Sequence, residues 1–373
     1  MSSNKYMRLG DCIRPVDIRN RDMISDKPMG INIDKYFMPS VANVIGTDLS
    51  NYKVVEKNQF ACNLMHVGRD ERLPIAILEQ NAPIIVSPAY YVFEIKPEIS
   101  LMPSFLMLWF KRPEFDRNAW FYTDADVRGG LDRDSFLNMS IPVPSIYEQR
   151  SIVAEYQAVE ERINSNNALV AQLEKVAISL YYEILSRDSS AQEGKDVHSS
   201  LLSDVADIIM GQSPDGESLN EDNDGIVFYQ GRTDFGFRFP RIRMYTNSPT
   251  KVARNGDVLL SVRAPVGDLN IATCDCCIGR GIASLRSKLG CNSYLYYLLK
   301  SLHDTFKVSD GDGTIFGSIS KEELFSIKIE YPGDTLVKEF EAKANIIDNA
   351  IQTFEAETEQ MITLRALLLA KLS

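Results

Sequence analysis

Two aspartate pairs, Asp124/Asp126 and Asp132/Asp134, flank the glycines at 129 and 130. Paired carboxylates on a loop are the raw material of a metal-dependent nuclease site. The second half of the chain does not reproduce them, so they read as residues that solvate a loop. The run CDCC places Cys274, Cys276 and Cys277 close together. Zinc would call for C-x-x-C spacing or neighbouring histidines, and only His303 is near, so a strand burying small thiols is the favoured reading. His66, His198 and His303 are scattered and form no triad or metal pattern. A phosphate-cradling G-x-x-x-x-G-K-[ST] loop is missing, and GRGIASL at 279–285 lacks the dinucleotide-binding spacing. The Asx-Pro-Pro-aromatic tetrapeptide of amino-methyltransferases is also missing. No catalytic residue, metal or cofactor is assigned to this chain.

What remains is binding chemistry. The 373-residue chain carries a net charge of −11, which argues against a polyanion partner until the charges are placed. Between 226 and 290 there are ten Lys/Arg against four Asp/Glu, a local +6. The loop DGESLNEDNDG carries five acids, and segments 145–200 and 320–373 are each −4. A basic island on an acidic frame suits a protein that binds a polyanion with one surface and proteins with another. The candidate DNA-binding residues in the second half are Gln230, Arg232, Arg241, Arg243, Lys251, Arg263, Arg280, Thr314 and Ser318. Their types supply phosphate contacts and base-edge donors. The first half is nearly neutral, with 17 bases and 18 acids over 1–144. Its candidates are Arg14, Arg19, Arg21, His66, Arg69, Lys111 and Arg128, and its readout is expected to lean on shape and hydrogen bonding.

The elements that must position these residues repeat. LDRDSFLNMSIPVP (131–144) matches ISKEELFSIKIEYP (319–332) at an offset of 188. The apolar positions coincide, and the match continues into a helix in each copy. The first seam reads Ile152, Tyr156, Val159, Ile163, Asn166, Val170, Leu173, Ala177, Leu180 and Ile184. The second reads Phe340, Ala344, Ile347, Ile351, Phe354, Thr358, Met361, Arg365, Leu368 and Leu372. Both step by four and three, the signature of a heptad seam, with Asn166, Thr358 and Arg365 as polar interruptions. Each helix runs about forty residues, or about 60 Å. Upstream, 58–77 parallels 255–272 and 84–95 parallels 276–285, each reading as turns and buried strands. The expected fold is therefore α/β (α+β), with two globular domains in tandem, each followed by a long helix. The domains are expected at 1–144 and 189–332, with 189–200 as a linker, and the helices at 145–188 and 333–373. Pro142 and Pro144 close the first domain, and Ser145 is placed to cap the helix that follows. No window of eighteen uncharged apolar residues and no signal peptide are present, so a cytoplasmic protein without a membrane role is expected.

SIPVPSIYEQRSIVAEY resembles the lead into the helices of type I restriction–modification specificity subunits. NGDVLLSVRAPVGDLNIA, IGRG and GTIFGSISKEELFSIKIEYP resemble parts of their target recognition domains, as do NYKVVEKNQFACNL and VSPAYYVFEI. The resemblance implies two target recognition domains that read a bipartite, asymmetric DNA site, and two helices packed as an antiparallel coiled coil that set the gap. It implies double-stranded DNA, two methyltransferase subunits and restriction/translocase subunits as partners. S-adenosylmethionine, ATP and Mg would serve those partners. The second helix has Leu336-Val337-Lys338 where the first has Glu148-Gln149-Arg150. Partner contacts at the two helices are therefore expected to be unequal. A coiled-coil interaction scaffold without DNA binding is the alternative. A fused enzyme is disfavoured because two repeats use up the chain.

Overall fold

The computed structural model describes residues 5–41, 46–123, 129–190, 199–303, 306 and 317–372, apart from the side chains of Lys5, His66 and 187–190. It divides into two compact units, Met1–Ser165 with Glu357–Ser373, and Asn166–Ala356. Each unit holds one α/β domain and a segment of both long helices.

In the first unit a four-stranded antiparallel sheet runs in the order Ile13–Pro15, Tyr91–Ile95, Phe60–Cys62, Ile75–Ile77. Side chains alternate across a strand, and here both faces are buried. Phe60, Cys62, Tyr91 and Phe93 join one core with the helix Pro103–Phe110. Ala61 and Val92 join the other. This explains why these strands read as unbroken apolar runs. The Phe60 and Phe93 rings stack at 5.0 Å across the register pair Phe60↔Phe93. A second sheet, in the order Phe37–Pro39, Pro28–Ile31, Ile84–Val86, Lys53–Val55, covers the other face. It contains one parallel pair, Pro28–Ile31 with Ile84–Val86. Lys5–Arg8 pairs with Ser140–Val143 to close the domain.

The second unit repeats this topology with one more strand, Leu219–Asn220, at the edge of its second sheet. Its antiparallel sheet is ordered Ala206–Met210, Ile282–Ser287, Val258–Ser261, Leu269–Ile271. Val258, Leu260, Ala283 and Leu285 face the core that holds the helix Asn292–Ser301. Leu259 and Ile282 face the other core with Cys276 and Ile278. The parallel pair recurs as Ile226–Tyr229 with Cys276–Ile278. Cys276 and Cys277 thus sit on a buried strand, where burial pushes the Cys276 thiol far up. Ser199–Leu201 pairs with Lys328–Glu330, the counterpart of the first domain's closing pair.

The long helices are Ile146–Ser190 and Asp334–Ala370, their starts separated by the same 188 positions. Ser145 and Glu148 form a reciprocal cap. The Ser145 backbone N–H donates to Glu148 Oε2 at 2.9 Å, and the Glu148 N–H donates to Ser145 Oγ at 3.3 Å. Within the first unit Arg162 grips Glu357 with two bonds of 2.8 Å, and Arg365 donates to Glu160 at 2.9 Å. Ascending numbers on one helix meet descending numbers on the other. Within the second unit Tyr181 meets Phe340 edge-on at 5.9 Å. Tyr156, Val159, Ile163, Val170, Ile184, Phe340, Ile351 and Leu372 are buried. Ile152, Leu173, Leu180, Ile347, Phe354, Met361 and Leu368 are half-buried. Val153, Tyr181 and Leu369, one position off the seam, are buried because they pack into the domain cores. The polar interruptions differ in fate: Asn166 is fully buried, Thr358 half-buried, and Arg365 is paired with Glu160.

The Glu148-Gln149-Arg150 stretch has an intradomain explanation. Buried Gln149 accepts from the Met102 N–H at 2.7 Å and donates to the Ser100 and Pro144 carbonyls, capping the start of the helix Pro103–Phe110. In the second copy Val337 is core, and the capping passes to Glu341, one turn later. Its carboxylate accepts from the Tyr294 N–H at 2.9 Å and the Ser293 N–H at 3.3 Å. The sequence difference therefore relocates a cap within each copy.

Candidate nucleic-acid interface

Each domain joins two segments at matching positions by a pair of backbone hydrogen bonds, a clasp that is wider in the first copy. In the first, Gly68 N–H donates to Gly129 O at 2.7 Å and Leu131 N–H to Leu64 O at 2.8 Å. In the second, Ala264 N–H donates to Gly317 O at 3.1 Å and Ile319 N–H to Val262 O at 3.0 Å. The residues between these bonds are displayed opposite one another. In the second domain they are Arg263 and Ser318, both exposed. In the first domain Met65 and Gly130 flank the corresponding bonds. Met65 is exposed, at a place where the second copy presents Arg263 and Ser318. Gly68 is required there, since a Cβ would lie 2.7 Å from the Gly129 Cα.

Around the second clasp several loops converge. Gly279 N–H donates to Tyr229 O, Gln212 N–H to Ile278 O and Val262 N–H to Gly281 O, all at 2.8–2.9 Å. Arg280 N–H reaches Ser213 Oγ, and Thr250 donates through its hydroxyl to Gln212 O. The structure thereby gathers the loops of Gln230, Lys251, Arg263, Arg280 and Ser318, all exposed. Asp234, 3% exposed, orders the loop that follows Gln230. Its Oδ2 accepts from the N–H groups of Gln230 (2.7 Å) and Gly231 (3.2 Å), and its Oδ1 accepts from Arg243 at 2.5 Å. The Arg241 N–H donates to the Asp234 carbonyl at 2.7 Å. Arg232 donates to Asp268 at 2.6 Å.

These pairs change the meaning of the local +6. Asp234, Asp257 and Asp268 are matched by Arg243, Arg286 and Arg232. Arg238 is wholly buried and faces no ligand. Lys251, Arg263 and Arg280 are exposed candidates, and Arg232 and Arg243 are exposed while paired.

In the first domain the candidates are less concentrated. Arg14 pairs with Glu94, Arg19 with Asp17 and the Asn51 carbonyl, and Arg69 with the adjacent Asp70. Lys111 lies 5.4 Å over the Tyr156 ring, lining a polar cavity of about 600 Å³ with Lys35, Arg72 and Arg365. Arg21 is exposed. Arg128, Thr314, Asp124, Asp126, His198 and the His66 side chain lie outside the described residues.

Sequence reasoning passed over three residues that build this surface: Asp234, Gly279 and Gly211. Asp234 resembles any loop acid, and its partners are backbone amides. Gly279 is read from sequence in a dinucleotide motif and in IGRG, neither of which reveals its steric role. A Cβ there would meet the Gln230 carbonyl oxygen at 2.7 Å, and one at Gly211 would meet the Gly279 oxygen at 2.2 Å. The usable signal is the placement of glycines at strand ends that cross a parallel pair.

Two α/β domains of related topology, each followed by a long helix, give the chain a tandem organisation. Residues 194–364 match the family model of the type I restriction modification DNA specificity domain. The MjaX type I restriction enzyme specificity subunit of Methanocaldococcus jannaschii is 26% identical over 359 residues, covering 91% of this chain and 82% of that protein. Over most of its length the chain is thus similar to a type I restriction enzyme specificity subunit. The S subunit structure from M. genitalium shares the fold at a TM-score of 0.63 with 14% identity, covering 100% of this chain and 97% of that one. The HsdS subunit structure from Thermoanaerobacter tengcongensis is 26% identical, with a TM-score of 0.42 and coverage of 100% and 97%. Among the described residues no helix is long and apolar enough to cross a membrane.

Proposed function

We propose that this chain reads a bipartite, asymmetric duplex DNA site, one half with each domain, while the paired helices set the gap. The observation that carries this reading is the duplicated clasp, which displays side chains at the same place in two copies of one topology. A duplicated catalytic site would repeat its reactive residues, whereas a duplicated reader repeats the frame and varies the displayed groups. Two modest half-site contacts on one stiff frame add through effective concentration. The second domain would rely on Arg263, Arg280, Lys251, Gln230 and Ser318. The first would lean more on shape and hydrogen bonds.

The helices and domains would carry two methyltransferase subunits, which restriction/translocase subunits join in the cytoplasm. S-adenosylmethionine, ATP and Mg would act in those partners, leaving this chain without a cofactor. Seven residues inserted at one heptad boundary of both helices should lengthen the tolerated gap, while insertion in one helix should abolish recognition. A gap unchanged by the double insertion would end the idea that the helices set it. Binding to duplex DNA should weaken steeply with salt. A salt-independent or absent response would favour a protein scaffold without DNA binding.

A further inference from the structure

The loop that carries Gln230, Arg232, Arg241 and Arg243 joins the strands Ile226–Tyr229 and Met244–Thr246. It is closed on itself by Asp234 and by the Phe235–Pro240 bridge. Gly236 is tied to Asn270 by a bond in each direction, 3.0 and 3.2 Å. At its tip Arg238 turns inward and is fully buried. One guanidinium nitrogen donates to Asp348 on the second long helix. The other donates to Tyr297 at 3.0 Å and to Glu174 on the first long helix at 3.3 Å. Tyr297 in turn donates to Asp348 at 2.8 Å, and the Tyr296 ring covers the guanidinium at 4.4 Å. One side chain therefore grips both helices from the tip of a candidate reading loop. The planar fork of arginine suits this division of donors.

The corresponding loop of the first domain lies between Pro28–Ile31 and Phe37–Pro39. It also buries a cation, Lys35, but this one stays inside the domain, donating to the Phe110 carbonyl and, at 2.7 Å, to Asp116.

We infer that Arg238 is a positioning residue that fastens the second domain's reading loop to the spacer helices, whereas the first domain anchors its equivalent loop internally. The inference rests on the DNA-reading proposal. It requires that loosening the Arg238 network blur one half-site and spare the other. A merely structural role would weaken both halves together.

The test uses the full chain in its host, with the methylated motif mapped by single-molecule sequencing. Asp348→Asn keeps shape while removing the charge, and Tyr297→Phe removes a single hydroxyl. Each should make one half of the motif degenerate, with about tenfold lower occupancy at the intact site and the other half retained. A motif unchanged in both variants, or equal loss of both halves, overturns the inference. A wild-type chain that directs no bipartite methylation sinks the DNA-reading proposal itself, and this inference with it.

Discussion

Arg263 and Ser318 stand opposite each other in an antiparallel bridge, held between two backbone hydrogen bonds of 3.0 and 3.1 Å. This pairing sets a cation beside Ser318 through backbone bonds alone, so neither side chain is used up in the clasp itself. Arg263→Ala should therefore cost DNA affinity and leave folding intact. A base contact would be worth about 1–3 kcal/mol and relax preference at one position, whereas a phosphate contact would lower the salt slope by about one. Titration against the methylated motif and against scrambled duplex separates the two, and unchanged affinity on both would remove Arg263 from the interface.

Asp234 is the acceptor on which the neighbouring loop depends. Asp234→Asn replaces one acceptor oxygen by a donor that faces the N–H groups of Gln230 and Gly231 or the Arg243 guanidinium. The expected loss is about 1–3 kcal/mol in unfolding stability. Urea unfolding should report it, with a loss of DNA affinity larger than that of Arg243→Ala.

Gly279 is held by a steric limit. Gly279→Ala places a methyl 2.7 Å from the Gln230 carbonyl oxygen, a backbone atom that moves only if the loop moves. The variant should lose about 1–3 kcal/mol and bind DNA poorly. Gly216→Ala, where nothing lies within 4 Å of the new methyl, should stay within about 0.5 kcal/mol of wild type. Equal behaviour of the two variants would contradict the account of the apposed loops.

Glu341 links pH to stability. Burial, outweighing the stabilising Tyr294 and Ser293 N–H groups, raises its carboxyl above the ordinary glutamate range. The folded state then holds the proton more tightly than the unfolded chain. This contribution to stability is full below the unfolded pKa and is lost as pH rises through the raised folded value. Melting curves from about pH 4 to about pH 7 should show this loss in wild type and a flatter profile in Glu341→Gln. An identical pH profile in both would show that the carboxyl titrates normally.

Much of the architecture is legible in the chain. The match of 131–144 to 319–332 spans the strands Ser140–Val143 and Lys328–Glu330 and leads into the two long helices, because a repeated apolar pattern favours a repeated local fold. Ser145 was readable as a cap because capping is local. The buried cations were not readable. Arg238 and Lys35 look like surface charges until partners 110 and 81 positions away are brought beside them. Gln149 and Glu341 were hidden by a shift of one turn, which breaks an alignment column and preserves a contact. The candidate surface shows the same division. Residue types suggested a polyanion site in the second half, but the ion pairs that consume Arg232 and Arg243 depend on tertiary folding.

The central claim is that this chain selects a two-part DNA sequence. The most direct measurement is the methylome of its host with and without the gene. The account predicts one bipartite, asymmetric methylated motif that disappears on deletion and returns on complementation. An unchanged methylome, from a strain in which the modification partners are expressed, would contradict it.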